Sequence, residues 1–188
     1  MEAIILAGGF GKRLRSSVGD VPKPMASVNS RPFLDYLLGY LIENKVKSVI
    51  ISVYYKYDII KNHYGNNYKG MNISYSIDKE ALGTGGAIKA ALLKSNNKSI
   101  FIINGDSYFN VNLSYLCKIH NNNNNDITFS LKPMKNFDRY GFVKTDANGR
   151  VHSLKEKKYC DYGEIDGGVY LINKSIFNLI ESKKKYQY

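Results

Sequence analysis

ILAGGFGKRL, residues 5–14, runs an apolar strand into a loop of three glycines and then two cations. Two familiar phosphate loops can be tested on it by spacing. The dinucleotide fingerprint G-x-G-x-x-G, started at Gly9 and Gly11, needs a third glycine at 14, where Leu14 stands. A P-loop needs glycine five residues before the Gly-Lys pair and Ser or Thr after it, but those positions are Leu6 and Arg13. Both fail, and the physics of the stretch remains. A buried strand from Ala3 to Ala7 delivers Gly8, Gly9 and Gly11, which lack a Cβ and let backbone N–H groups approach an anion closely. Lys12 and Arg13 add charge, and of the two only Arg13 offers a planar fork of donors. A glycine-rich turn with solvated cations is the competing reading of an isolated loop.

Outward from this strand, helical and extended patterns alternate. RPFLDYLLGYLIENK (31–45) has apolar residues at helical spacing, with Pro32 placed for a first turn. SVIISV (48–53) reads as a buried strand, YDIIKNHYG (57–65) as a short helix stopped at Gly65, and NISYSI (72–77) as another strand. TGGAIKAALLK (84–94) reads as a helix and SIFIING (99–105) as a central strand. This βαβαβ order predicts an α/β domain with a parallel sheet and ligands at the carboxyl ends of its strands. The second half differs. LSYLCKIHN (113–121) is helical, the asparagine run 121–125 is a loop, and ITFSLK, GFVKTD, RVHSLKEK and GGVYLI follow as strands, with DANG (146–149) a hairpin turn. A last helix is expected at about 174–185. Without a repeat or linker, residues 1–188 read as a single domain with a small antiparallel extension.

The chain of 188 residues, 44% apolar, is long enough for a substantial core. Its 27 Lys and Arg against 16 Asp and Glu give a formal charge of +11, which favours anionic partners: nucleic acid, an anionic membrane or phosphorylated metabolites. Much of that charge sits in scattered Asn/Lys stretches and the terminal SKKK, where solvation alone explains it. Met-Glu-Ala leads directly into the first strand, so no leader is expected, and no apolar run approaches the ~18 residues of a membrane span. Cys117 and Cys160 match no metal or redox spacing and are expected as reduced thiols of a cytoplasmic protein.

Polar chemistry collects where the strands are expected to end. Lys23 in VPKPM (21–25) lies between prolines that stiffen its backbone, which suits a cation held at a fixed point; an exposed loop lysine is the plainer reading. Asp106 in NGDS follows strand 100–104, where a carboxylate could hold Mg²⁺ together with substrate phosphates, or could simply cap a turn. In EALGTGGAI (80–88), Thr84, Gly85 and Gly86 open a helix against which a flat ring could lie. Glu80 beside them could accept the N1–H and N2–H donors of guanine, or be a surface glutamate. Glu156 and Lys157 in LKEKK occupy successive strand positions, so one of them can face a ligand. His63, His120 and His152 fall in none of these motifs, and no Gly-x-Ser-x-Gly or zinc spacing occurs, which disfavours acyl transfer and metal hydrolysis. Phosphoryl chemistry, which relies on positioning and cations, fits better.

Taken in order, ILAGGFGKRL, PKPM, RPFLDYLLGYL, EALGTGGAIKAAL, NGDSYFNVNL, YGFV, EKK and DGGVYLIN resemble the sugar-1-phosphate nucleotidylyltransferases over nearly the whole chain. The wording of RSSVGDVPKPMASVNSRPFLDYLL and LGTGGAIKAAL is most similar to the D-glycero-D-manno-heptose 1-phosphate guanylyltransferases, with mannose-1-phosphate guanylyltransferases next. The resemblance implies a Rossmann-like three-layer sandwich with a mostly parallel central sheet. It implies attack of a sugar 1-phosphate oxygen on the α-phosphorus of a nucleoside triphosphate, GTP first, giving a nucleotide sugar and pyrophosphate. On this sequence it places Leu6, Ala7, Gly8, Gly9, Gly11 and Lys12 around the nucleotide, Arg13 on the triphosphate, Lys23 near the α-phosphate and Asp106 on Mg²⁺. Glu80 and Gly85 fall in the segment that meets the base, Lys157 on the sugar phosphate, and Gly141, Glu156 and Asp166 on the sugar side.

The phosphate monoester nucleophile has its second pKa near ~6 and is already ionised at neutral pH, so no histidine base is needed. Two departures from the family pattern stand out. Members continue to a segment resembling D-x-G-x-P-x-D-Y that supplies a second metal carboxylate, whereas this sequence stops at ESKKKYQY, so the domain is expected to lack its C-terminal end. Asp166 also stands where asparagine is common. A non-catalytic nucleotide-sugar-binding domain is the alternative of another class. Nucleic acid is not expected as a partner, since the basic residues lack the interleaved aromatics of a stacking platform, and neither is a membrane; a homodimer stays open.

Overall fold

In the computed structural model, which describes residues 1–9, 21–155 and 157–178, the opening strand β1 (Glu2–Leu6) lies inside a nine-stranded sheet. Its residues feed two different cores because successive side chains of a strand point to opposite faces. Ala3 and Ile5 pack with Leu34, Leu37 and Leu38 of helix α1 (Phe33–Glu43) and with Ile60 of α2 (Tyr57–Tyr64). Ile4 packs on the other face with Ala91 and Leu92 of α3 (Gly83–Leu92). Helices therefore cover both faces, the arrangement that continuous apolar strands such as SVIISV require. The three-layer sandwich expected from the sequence is the observed fold.

β1 pairs in parallel with β4 (Ser48–Val53) on one side and β7 (Ser99–Asn104) on the other, and β6 (Met71–Ile77) extends the parallel set beyond β4. The short β5 (Asn67–Tyr68) closes that edge antiparallel to β6. After α4 (Leu113–Asn122), the chain adds β8 (Ile127–Phe137), β9 (Phe142–Thr145), β10 (Val151–Lys155) and β11 (Cys160–Asn173). The strand order is β10-β9-β11-β7-β1-β4-β6-β5, with β8 also paired to β11. The antiparallel extension is thus continuous with the central sheet through β11 and β7. The DANG turn forms as expected: Asp146 Oδ1 accepts from the N–H of Asn148 and Arg150, and Gly149 takes φ +75°.

Three local expectations are corrected. Pro32 does not open α1; with Arg31 it forms a small ribbon, β3 (Arg31–Pro32), against β2 (Ser27–Val28). Asn29 and Ser30, both at positive φ, make the tight turn that holds residues 31 and 32 extended, so the helix starts at Phe33. β11 begins at Cys160, well before GGVYLI, because pairing with β8 and β9 carries residues whose own pattern is polar and glycine-rich. Lys174–Asn178 is a 3₁₀ turn, and the rest of the expected final helix lies outside the described residues.

Gly105 joins the parallel core to the site. Its N–H donates to Leu6 O at 3.0 Å, and a Cβ there would stand 2.4 Å from that same backbone oxygen. Gly105→Ala must push two strand ends apart, so it is expected to destabilise by about 2 kcal/mol, lowering Tm by roughly 4–8 °C. Gly39→Ala on α1, where a Cβ meets nothing within 4 Å, is the control and should not lower Tm in the same thermal melts.

Candidate active site

The chain runs β1, β4, β6 outward on one side and then returns to place β7 on the other side of β1. That reversal opens a crevice at the carboxyl ends of the strands, where ligands bind in open α/β sheets. Each strand delivers a functional group to it: β1 delivers Gly8 and Gly9, β6 delivers Asp78, and β7 delivers Asn104 and Asp106. The resulting cleft holds about 430 Å³. Its walls are held by bonds that prolong the parallel ladder, from Ala7 N–H to Ser52 O at 2.8 Å and from Asp78 N–H to Val53 O at 2.9 Å.

Helix α3 points its first turn into the same space, where Leu82, Gly83 and Thr84 line the wall. Its N-cap is Leu82, which supplies no side-chain acceptor. The first amides are left for a ligand, at the end of the helix where the dipole favours negative charge.

Lys23 and Asp106 meet across 83 positions of sequence, with Nζ donating to Asp106 Oδ2 at 2.5 Å. Pro22 caps the 3₁₀ turn Lys23–Met25 and Pro24 is buried within it, so prolines flank this lysine on an ordered turn. Ser107 Oγ lies 3.3 Å from Asp106 Oδ1. Both side chains stay partly exposed, at 34% and 45%, so each remains accessible to a substrate. Mg²⁺ is commonly held by one or two carboxylates together with substrate phosphates. Asp106, a half-exposed hard oxygen donor beside the glycine loop, fits that role. Among the described residues no group of three or more His, Cys, Asp or Glu gathers into an all-protein metal cage.

Asp78 escaped the sequence reading. It is nine-tenths buried at the cleft wall, and among the described residues neither its Oδ1 nor the Oγ of Ser52 has a hydrogen-bond partner. Burial pushes its pKa above the ordinary carboxylate value. A buried, unsatisfied carboxylate costs stability unless a ligand supplies the missing donors. The rule that singled out Asp106, a carboxylate just past a parallel strand, finds Asp78 after NISYSI as well. Glu80, by contrast, is exposed, and neither it nor Gly85 lines the cleft.

The sugar-side candidates lie along the antiparallel extension. Ile165 stands opposite Phe142, and Phe142 opposite Lys155, so the next residues along the register are Asp166 and Gly141. Gly141 packs so closely on Lys155 O that a Cβ would come within 2.5 Å. Lys157 is exposed just beyond β10. Asp166 accepts hydrogen bonds from Gly168 N–H at 2.8 Å and from the Tyr170 hydroxyl. Gly11, Lys12, Arg13 and Glu156 lie outside the described residues.

His120 is buried away from the cleft, with Nδ1 at 2.9 Å from Thr128 Oγ1 and Nε2 at 3.1 Å from Asn173 Oδ1, tying α4 to β8 and β11. Among the described residues no helix is long and apolar enough to cross a membrane.

Residues 2–188 match the family profile described as Nucleotidyl transferase. Over its full length the chain is 48% identical to the D-glycero-alpha-D-manno-heptose 1-phosphate guanylyltransferase of Aneurinibacillus thermoaerophilus, spanning 81% of that protein. It is 45% identical to the enzyme of the same name from Campylobacter jejuni, spanning 83% of it. Among solved structures, HddC from Yersinia pseudotuberculosis complexed with GMP-PN superimposes with a TM-score of 0.86 at 33% identity, over 99% of this chain and 81% of HddC. The inositol-1-phosphate CTP transferase of T. maritima follows the same fold with a TM-score of 0.80 at 25% identity, over 99% of this chain and 76% of that one. With its crevice at the β1/β7 switch point and a match spanning 2–188, the chain belongs to the nucleotidyl transferase family.

Proposed function

We propose that the protein transfers GMP from GTP to D-glycero-alpha-D-manno-heptose 1-phosphate, yielding GDP-heptose and pyrophosphate. The observation that carries this reading is the meeting of Lys23 and Asp106 at the mouth of the cleft, in a chain 48% identical to a heptose 1-phosphate guanylyltransferase from end to end. An ionised phosphate oxygen of the sugar attacks the α-phosphorus, forming one P–O bond as the bond to pyrophosphate breaks. The nucleophile carries no proton to remove at neutral pH, which accords with a cleft wall that contains no histidine among the described residues. When triphosphate enters, Lys23 turns from Asp106 to the α-phosphate and opposes the charge that builds there. Among the described residues, the amides of Gly8 and Gly9 and the open end of α3 offer further electropositive surface to the nucleotide. Mg²⁺ held by Asp106 and the phosphates would supply further charge neutralisation.

Asp78 supplies the base preference in this reading. Guanine presents N1–H and N2–H donors side by side, and a carboxylate can accept both. Asp78→Asn replaces one acceptor by a donor, so KM for GTP is expected to rise about 10–100-fold. The same substitution removes a buried charge. Because the folded pKa is raised above the unfolded 3.8, the native carboxylate costs stability at pH 7, and that cost disappears as pH falls through the folded value towards 3.8. The variant should therefore melt higher than wild type at pH 7, with the gain shrinking towards pH 4. Equal KM values for GTP and no stability gain would remove Asp78 from this role. In this reading the GDP-heptose product would feed capsule, lipopolysaccharide or S-layer glycan synthesis. The free thiols Cys117 and Cys160 suit a reducing cytoplasm. Mass spectrometry of the product formed from GTP and the heptose phosphate tests the reaction; unchanged substrates refute it.

A further inference from the structure

The segment Asp166–Tyr170 breaks the register of β11 against β8: Asp166 pairs with Leu131 and Tyr170 with Phe129, so an irregularity lies between them. Bulges beside active sites re-aim side chains, and here the glycines permit it. Gly168 takes φ +75°, and a Cβ on it would fall 2.7 Å from the Asn104 amide nitrogen. A Cβ on Gly167 would strike the Phe109 ring. The result is an exposed carboxylate that is nonetheless held at both oxygens. Gly168 N–H binds Oδ1 at 2.8 Å, and the Tyr170 hydroxyl binds Oδ2. The Tyr170 ring is packed edge-on against Phe129 at 5.3 Å, and the Asn104 side chain lies against Gly168 within the same irregular segment. Asn104 in turn lines the nucleotide cleft. The irregular segment thus sets the braced carboxylate next to the cleft.

We infer that Tyr170 is a positioning residue: through its hydroxyl it fixes the Asp166 carboxylate as a rigid acceptor for the hydroxyls of the sugar phosphate, beside the cleft end marked by Asn104. The inference rests on the proposed sugar 1-phosphate transfer and on the sugar-side place that the family resemblance implies for Asp166. An exposed aspartate left to itself samples several rotamers, and each hydrogen bond it makes to a ligand must first restrict them. With both oxygens braced, that restriction is already made, and the lone pairs not used by Gly168 and Tyr170 stay open to ligand donors. The phenol is well suited to the task. Burial and the neighbouring carboxylate raise its pKa above the ordinary tyrosine value, so it remains a proton donor throughout the working range.

The test is a double-mutant cycle on the full chain, with KM measured separately for GTP and for the heptose phosphate. Tyr170→Phe removes one oxygen and keeps the ring on Phe129. It should raise KM for the sugar phosphate about tenfold while leaving KM for GTP and kcat within about twofold. Asp166→Ala should raise the same KM about 30-fold or more, and the double variant should match Asp166→Ala alone, because Tyr170 acts only through Asp166. Asp166→Glu, which keeps the charge but carries it one methylene beyond the brace, should behave like the alanine variant and does not disturb the Tyr170 ring. Multiplying effects in the double variant, equal rises in both KM values for Tyr170→Phe, or a wild-type KM for Asp166→Glu would each overturn the inference. If instead Asp166→Ala leaves KM for the sugar phosphate unchanged, the sugar-phosphate reading of Asp166 fails, and the positioning role fails with it.

Discussion

Asp106→Asn is expected to lower kcat/KM for GTP by about 10³-fold, equivalent to about 4 kcal/mol of transition-state stabilisation. The substitution keeps the shape of the side chain and removes its charge. An amide is a poor ligand for a hard divalent cation, and the metal that neutralises the phosphates would be held less well. Stability should hardly change. The Lys23–Asp106 pair is partly exposed on both sides, and such pairs contribute about 0–1 kcal/mol, so Tm should move by no more than roughly 4 °C. That contrast separates chemistry from folding. Manganese binding followed by electron paramagnetic resonance in the presence of GTP gives a second readout, which should weaken in parallel. Wild-type activity in Asp106→Asn would mean that the carboxylate does not serve the metal.

Lys23→Met should lower kcat by about 10²–10³-fold while changing KM for GTP by only a few-fold. The reasoning lies in when the charge is needed. Without ligand, Lys23 neutralises Asp106 at 2.5 Å. In the reaction it faces an α-phosphate whose charge rises as the nucleophile arrives, so its contribution is greatest at the transition state. Methionine fills similar volume without the charge, and the prolines at 22 and 24 keep the turn intact. Lys23→Arg tests point charge against fork geometry and should recover only part of the rate, since a guanidinium is larger and planar. A loss seen wholly in KM would instead mark Lys23 as a ground-state binding residue.

The parallel core was legible because its strands are short apolar runs between helices of clear period, and the layer architecture follows from that alternation. Lys23 and Asp106 were legible for a related reason: proline punctuation and a strand end are local signals. Their mutual contact, across 83 positions, is created by the sheet order and has no local trace. Asp78 carries the same strand-end signal as Asp106, but its burial in the cleft wall depends on the packing around β6 and has no trace in the local sequence. The bulge at 166–170 is invisible in GGVYLI, since an irregularity in register depends on β8 as much as on β11. Pro32 shows the reverse case, in which a sound helix-start signal yields to a turn at Asn29 and Ser30 that commits the next two residues to a ribbon.

The most direct measurement of the central claim is pyrophosphate release by the purified chain with Mg²⁺, across GTP, ATP, CTP and UTP crossed with heptose, mannose and glucose 1-phosphates. Guanylyl transfer to heptose 1-phosphate predicts the highest kcat/KM for GTP paired with the heptose phosphate, and little release when either substrate is omitted. A clear preference for CTP or UTP, or binding of GTP without turnover on any sugar phosphate, would contradict it.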